Sequence, residues 1–384
     1  MTPVYVTGTG VISCAGNSPA ELWENAFHGR SGISGGLGRV SFPSTKENRT
    51  ELSAGVRFSI EAARQAMTVA EWDQLNPNDG LILATTTGQI PLWEKALVAF
   101  LHETVPADEF RITFADHPIG ALLDAVSDQL KFEGRSFLVT SACSSATQAL
   151  ALGANWIQEG RVQRCLVIGV EVLCQLTLEG FKSLQLLSPV AARPFDVNRT
   201  GINLSEGAGA LCLEAHPLTT PLARVSGFGL STDGHHMTAP EPEGRGSLRA
   251  MQSALKTSEL EPGDISWVHA HGTGSNHNDL AEGAAIEKCF GELKTPPFVS
   301  STKNIHGHAL GASGAIETVL CIEALKRQTI LRTVGLENPD PSIHVRHPHE
   351  NTPATMEHIL KSTLGFGGAN AALILSRPAS EVRK

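Results

Sequence analysis

No stretch of this chain is apolar for the roughly 18–20 residues that an α-helix needs to cross a bilayer, so no membrane insertion is expected. Charge is also scarce. Asp, Glu, Lys and Arg make up 18% of the 384 residues and leave a net charge of −9. That balance argues against nucleic acid or an anionic membrane as the main partner, although a local basic patch on an acidic surface still admits an acidic protein. The seven cysteines are odd in number and irregular in spacing, which fits reduced thiols rather than a disulfide framework. There is no P-loop, and Gly8-Thr9-Gly10 lacks the third glycine of a dinucleotide fingerprint, so no nucleotide cofactor is expected. The opening run MTPVYVTGTGVIS enters an apolar strand without a basic region or cleavage signal, and the expected setting is cytoplasmic.

What is present is a large supply of core. Apolar residues amount to 41%, and the length suits two domains or one duplicated fold. The 37 glycines cluster in short runs, as in turns where backbone approaches a ligand. Strands are expected at Val4–Gly8, Leu81–Ala84, Phe137–Thr140, Cys165–Val170, Gly209–Glu214, Trp267–His269, Phe298–Ser301 and Ala371–Leu375. Helices are expected at Ser18–Phe27, Ser59–Met67, Ile119–Leu130, Ser145–Gln158, Gly246–Thr257, Asp279–Phe290 and Gly314–Arg327. Their alternation implies an α/β architecture with helix-covered sheets. Val6-Thr7-Gly8-Thr9-Gly10-Val11 echoes Val225-Ser226-Gly227-Phe228-Gly229-Leu230, and Leu138–Ala142 echoes Phe298–Thr302 in the same order. Two such echoes suggest a duplicated unit with a seam near Ala215–Pro221, dividing the chain into halves 1–216 and 217–384. Gly35–Arg49 and Pro339–Pro353 show no periodicity. The second holds His344, His347 and His349, but a proline-broken loop without cysteine or paired carboxylates reads as a solvated loop, and no metal is expected.

Four constellations carry chemistry. In Phe137–Ala146 an apolar strand ends, small residues turn the chain, and Cys143 stands at the start of a helix, where free N–H groups and the helix dipole favour thiolate. Trp267–Ser275 delivers His271 at a strand end beside glycines; Thr273 and Ser275 supply hydroxyls, and Asp279 is expected to cap the next helix. His269 shares that strand face, but the turn position favours His271. Ser300–Gly314 repeats the pattern with His308, with His306 as its competitor. Lys303 there needs a partner, and Glu317 sits at a helical position that offers one. Leu364-Gly365-Phe366-Gly367-Gly368-Ala369-Asn370 is a glycine-rich loop suited to lining a ligand, with no Lys-Ser/Thr to make it a phosphate loop.

Taken together, Ser141–Ser145, His271–Ser275, Ser301–Lys303, Gly307-His308 and Gly365–Asn370, with Arg193–Asp196, Glu206–Gly209, Ser231–Asp233 and Met237–Pro240, resemble the β-ketoacyl synthase family from Val6 almost to Leu375. The resemblance implies a duplicated, five-layered αβαβα thiolase-like fold, a dimer, and a catalytic triad of Cys143, His271 and His308. The second histidine implies an elongating rather than an initiating type, and the absence of cysteine from Leu364–Asn370 argues against a degradative thiolase. It further implies decarboxylative condensation of an acyl chain on Cys143 with a malonyl-acyl carrier protein. In that chemistry the amides of Cys143 and Phe366 hold an oxyanion, Lys303 with Glu317 positions His308, Thr273 and Ser275 hold the phosphopantetheine arm, and Phe366 gates the acyl pocket. No cofactor beyond the carrier's arm is implied. The partners are acyl carrier protein and a second subunit, in a homodimer or with a chain-length-factor-like chain. A non-catalytic partner of that kind is the alternative for this chain itself, disfavoured by the intact triad. Primary fatty-acid and specialised polyketide or polyene synthesis both stay open. The segment between Gly32 and Val56 is short for the family, and Thr85–Ile90 replaces a common Gly-rich loop, with Gln89 polar where apolar residues are usual. Arg64, Arg193 and Arg199, with Lys46 and Arg49 behind them, are the candidate carrier-docking patch.

Overall fold

The structure, a computed structural model, describes residues 2–41, 52–115 and 117–378. Lys46 and Arg49 lie outside the described residues. The first half contains β1 (Tyr5–Ser13), α1 (Pro19–Phe27), α2 (Ala54–Val69), β2 (Gly80–Ala84), α3 (Ile90–Leu101), α4 (Ala107–Phe114), α5 (Ala121–Leu130), β3 (Arg135–Val139), α6 (Ser145–Gln158), β4 (Arg164–Glu171), α7 (Gln175–Ser183) and β5 (Gly207–Glu214). The second contains β6 (Ala223–Thr232), α8 (Arg245–Ser258), β7 (Ile265–His269), α9 (Asn276–Phe290), β8 (Phe298–Ser300), α10 (Lys303–His306), α11 (Ser313–Arg327), β9 (Thr329–Ile330), β10 (Thr352–Pro353), β11 (His358–Gly365) and β12 (Ala369–Ser376).

Strand order is β3-β2-β4-β5-β1-β6-β12-β11-β7-β8. Read inward from its two ends, this order is the same motif twice: β3-β2-β4-β5-β1 against β8-β7-β11-β12-β6. The motif repeats its directions as well as its order, parallel through the first three strands and antiparallel thereafter. Along the sheet the halves join at β1 and β6, through the pairs Tyr5 with Arg224 and Val6 with Ala223. Helices α6 and α11 lie between the half-sheets, α2 and α5 cover one outer face, and α8 and α9 cover the other, giving αβαβα. This sandwich explains the sequence of β4, RCLVIGVE, in which seven of eight residues are buried: with helices on both faces the alternation of a half-exposed strand disappears. It also explains the small residues of α6 and α11. A Cβ on Gly314 would lie 2.3 Å from Thr147 Oγ1, so the two central helices approach only because a side chain is missing. Among the described residues no helix is long and apolar enough to cross a membrane.

All the expected strands and helices are present, mostly longer by a few residues. Unexpected are β6, β9, β10 and β11 and the helices α3, α4, α7 and α10. Polar Lys361, Ser362 and Thr363 interrupt the apolar run of β11, although all three are buried. Pro91 in α3 occupies the first turn, where proline is tolerated rather than helix-breaking. The Pro339–Pro353 loop is less solvated than expected. His344 and His349 are exposed, but His347 is half-buried, with Nδ1 2.9 Å from the Val299 carbonyl and its ring 5.1 Å from that of Phe195.

Candidate active site

Cys143 is presented by a tight turn between β3 and α6. Ala142 takes φ +47°, a left-handed conformation costly for a residue with a Cβ, and the surrounding serines brace it. Ser144 Oγ donates to the Ser141 carbonyl (2.8 Å), Ser145 Oγ donates to that of Ala142 (2.6 Å), and Gln148 Nε2 donates to both Ser141 and Ser144 hydroxyls. The small residues of this stretch are thus the fastenings of a strained turn that aims the thiol. Cys143 is 4% exposed and belongs to an apolar cluster with Leu173, Ile202, Leu204 and Leu310.

Burial pushes the Cys143 thiol up to about 11, against the opposing pull of Lys303 and of the Phe366 and Cys143 amides. The amide at the helix start does pull towards thiolate, as the sequence suggested, but desolvation outweighs it. His308 supplies the missing base. Its Nε2 is 3.2 Å from Cys143 Sγ, and its Nδ1 is 2.9 Å from Ser313 Oγ. Burial first, then Lys303, holds both His308 and His271 well below the ordinary imidazole range, so both rings are neutral. The two rings stand edge to face at 5.1 Å, and the potential ligand atoms of Cys143, His271 and His308 lie within 4.8 Å of one another.

Backbone anchoring selects the histidines. Glu282 of α9 accepts from the N–H groups of His271 (2.7 Å) and Gly272 (2.8 Å). Asp279, one turn earlier, accepts from Thr273 (3.0 Å) and from Phe195 (2.8 Å). Asp279 therefore does not cap α9, as the sequence suggested; the N-cap is Ser275, and the carboxylate fastens the loop instead. Gly272 adopts φ +36°, and a Cβ there would lie 2.5 Å from that of Ser301. His308 is pinned through its N–H to the Asn203 carbonyl (2.7 Å) and its own carbonyl to the Ser205 N–H (3.0 Å). The competitors His269 and His306 face away from the pocket. Each places Nε2 3.0 Å from Thr302 Oγ1, and burial pushes them down to about 3 and about 4.

Lys303 is fully buried and ion-paired with Glu317, as expected. It does not reach His308, however: its Nζ is 3.3 Å from Nδ1 of His271. The pair thus sits behind the other histidine. Thr273 Oγ1 and Ser275 Oγ are 2.9 Å apart and line the pocket with Cys143, His271, His308 and Phe366. The Phe366 ring stacks on Phe181 at 5.3 Å, across the pocket mouth. Sequence reasoning missed Glu282, Ser313 and Lys361. A second carboxylate one helical turn past Asp279 and eleven residues past His271, ahead of the small and apolar residues Gly283, Ala285 and Ile286, was the available signal for Glu282.

A second cavity of about 430 Å³ is lined by Leu173 and Leu178 on its apolar side and by Arg39, Glu94, Lys95 and Glu206 on its polar side. Gln89 borders it, but its Oε1 is taken by the Ser53 hydroxyl at 2.7 Å. Of the arginines proposed for docking, Arg199 is buried and bound to Asp340 (2.6 Å) and the Asp196 carbonyl, so it fastens the loop before β5 and cannot meet a partner. Arg64 is bound to Glu61, and Arg193 lies 3.8 Å from Glu337 while half-exposed.

Two family models match the chain: Beta-ketoacyl synthase, N-terminal domain, over residues 40–217, and Beta-ketoacyl synthase, C-terminal domain, over residues 222–337. Among curated proteins it is similar to the 3-oxoacyl-[acyl-carrier-protein] synthase 2 of Coxiella burnetii, 30% identical and covering 97% of this chain and 98% of that one. The protein of the same description from Synechocystis is 31% identical with the same coverage. Among solved structures, the ishigamide ketosynthase/chain length factor superposes with a TM-score of 0.90 at 28% identity, over 98% of this chain and all of that one. The ketosynthase ApeO, solved with its chain length factor ApeC from Xenorhabdus doucetiae, gives 0.86 at 27% identity, over 98% of both chains.

Proposed function

Because the chain belongs to the β-ketoacyl synthase family, we propose that it condenses an acyl chain, held on Cys143, with a malonyl unit delivered by an acyl carrier protein. The observation that carries this reading is the convergence of one thiol and two neutral imidazoles within 4.8 Å, with two backbone amides directed at the same sulfur. Loading begins as His308 Nε2 takes the Cys143 proton and the sulfur attacks the acyl thioester; the carrier's thiol leaves with that proton. The Ser313 hydroxyl can accept from or donate to Nδ1, so the His308 ring is free to shift its remaining proton to Nε2. Malonyl-carrier then loses carbon dioxide, and the electron pair of the broken bond forms an enolate whose oxygen takes N–H donors from His271 and His308. Its carbon attacks the acyl-Cys143 carbonyl. The amides of Cys143 and Phe366 hold that oxyanion until the thiolate is expelled, and a proton from solvent, passed through His308 Nε2, restores the thiol.

The reaction balances without an added cofactor, since the malonyl carboxylate supplies the electron pair. Thr273 and Ser275 would hold the phosphopantetheine arm where it enters past Phe366. The halves 1–216 and 217–384 would then contribute the nucleophile and the two imidazoles respectively. A complete triad supports catalysis over a non-catalytic partner role, and a carrier-protein partner supports a cytoplasmic setting. Dimerisation with a second copy or a chain-length-factor-like chain accords with the fold. The test is mass spectrometry of protein incubated with acyl-carrier and then malonyl-carrier. An acyl adduct on Cys143, absent from Cys143→Ala, followed by a β-ketoacyl product two carbons longer, is expected. An adduct on another cysteine, or chain extension by Cys143→Ala, would sink the assignment.

A further inference from the structure

Lys361 is a fully buried cation with no place in the triad. It lies on β11 opposite His269 of β7, and its Nζ is 2.8 Å from Glu317 Oε2, 3.3 Å from the Thr147 hydroxyl, and bonded to the hydroxyl of Thr363. Glu317 Oε1 is bound by Lys303. One buried carboxylate is therefore divided between two ammonium groups, and the cluster carries a net positive charge. Lysine can only donate, so the 3.3 Å contact from Lys303 Nζ to His271 Nδ1 makes that nitrogen an acceptor. A ring that accepts at Nδ1 carries its proton on Nε2.

We propose that Lys361 is a positioning residue for the condensation: by holding Glu317 at Oε2 it keeps that carboxylate seated on Lys303, whose ammonium donates to His271 Nδ1, fixing the tautomer that presents Nε2–H to the reacting centre. This rests on the condensing role proposed above. The charged and titratable groups around Lys361 are Glu317 and Cys321 of α11, Lys303 and His306 of α10, and His269 of β7. Burial weighs most against the ammonium form of Lys361 and holds it below the ordinary lysine range; Glu317 and Cys321 favour that form, while Lys303 opposes it. The positive charge of Lys361 also opposes protonation of His271 and His308, behind burial, Lys303 and a neighbouring histidine (His308 for His271, His306 for His308). Removing it should therefore let those rings take up protons at higher pH.

The experiment measures carbon dioxide release from malonyl-carrier between pH 5 and pH 9 for the full chain and for Lys361→Met, Lys361→Gln and Lys361→Arg, with thermal melts alongside. The uncharged variants should lose about tenfold in kcat with KM unchanged. Their acid limb should move up by about one pH unit. Lys361→Arg should restore both. If Lys361→Met does not fold, Lys361→Gln carries the same expectation, because it keeps donors for Thr363 and Glu317 while losing the charge. An uncharged variant that folds and keeps the wild-type kcat and pH profile, whatever its melting temperature, overturns the assignment. Wild-type protein that releases no carbon dioxide sinks the condensing reading itself, and this assignment with it.

Discussion

A thiol sealed among leucines resists ionisation, and Cys143 reacts only because an imidazole stands beside it. The thiol is pushed up to about 11 by burial, so at neutral pH the thiolate is a minor form. Alkylation of Cys143 by iodoacetamide should accordingly quicken as pH rises from 7 to 9, by up to about tenfold per unit while thiolate limits the rate. Peptide-level mass spectrometry against time checks this, and a plateau already reached at pH 7 would contradict it. The two histidines should separate by step. His308 touches the sulfur and Ser313, whereas His271 touches Lys303, so His308→Ala should impair both acyl loading and decarboxylation. His271→Ala should leave loading within about a few fold and cut carbon dioxide release by roughly 10²-fold or more, the usual weight of one oxyanion donor. Equal losses in both steps for both variants would assign the rings a merely structural role.

At the scale of elements, α9 is the jig for the catalytic loop, since two of its carboxylates hold five backbone N–H groups, those of Phe195 and of His271–Gly274. Glu282→Ala should destabilise the fold by about 2–4 kcal/mol, by leaving two buried donors unpaired. It should also depress decarboxylation more than Cys143 loading, because only the His271 turn is released; denaturant melts and separate step assays decide the point. The sequence made the strand–turn–helix units around Cys143, His271 and His308 legible, since apolar runs ending in small residues have few other readings. It did not make β11 legible. A strand reading Ile-Leu-Lys-Ser-Thr-Leu looks half-exposed until Lys361 is seen to meet Glu317 across the layers, a contact 44 residues distant in the chain. Nor did strand period decide between His269 and His271. The strand ends at His269, and the left-handed turn at Gly272 breaks the alternation on which a period argument depends. Asp279 misled for a related reason: its helical spacing fitted a cap, while its hydrogen bonds tie Thr273 and Gly274 of the preceding loop to Phe195 from another part of the chain.

For the whole molecule, protonation balance sets the response to acid. Six histidines, at 269, 271, 306, 308, 347 and 358, are held below their ordinary value, burial being the leading cause in each. Their folded values are depressed, so the unfolded chain binds more protons once pH drops below about 6.5, and stability present above that pH is lost on acidification. The buried carboxyls of Glu171, Asp279 and Glu282 are shifted upward by burial and oppose this, but they are fewer. The melting temperature should fall between pH 7 and pH 5; a flat or rising curve would contradict the balance. Carrier docking on a chain of charge −9 should depend on local cations, with exposed Arg64 and half-exposed Arg193 the arginines that remain available. KM for acyl-carrier should rise with ionic strength more steeply than KM for a pantetheine thioester, since screening acts over about 8–10 Å and exposed pairs are individually weak. Equal salt slopes would move recognition to apolar contacts. The missing side chain at Gly314 has a consequence of another kind. The thiol precedes α6 and its imidazole base precedes α11, so the clearance between those two helices is a gauge for the gap across which a proton must jump. Gly314→Ala would insert a methyl group where only 2.3 Å separates the Cβ position from Thr147. A single shim in the middle of the molecule would thus detune chemistry at its mouth, without touching any residue that reacts.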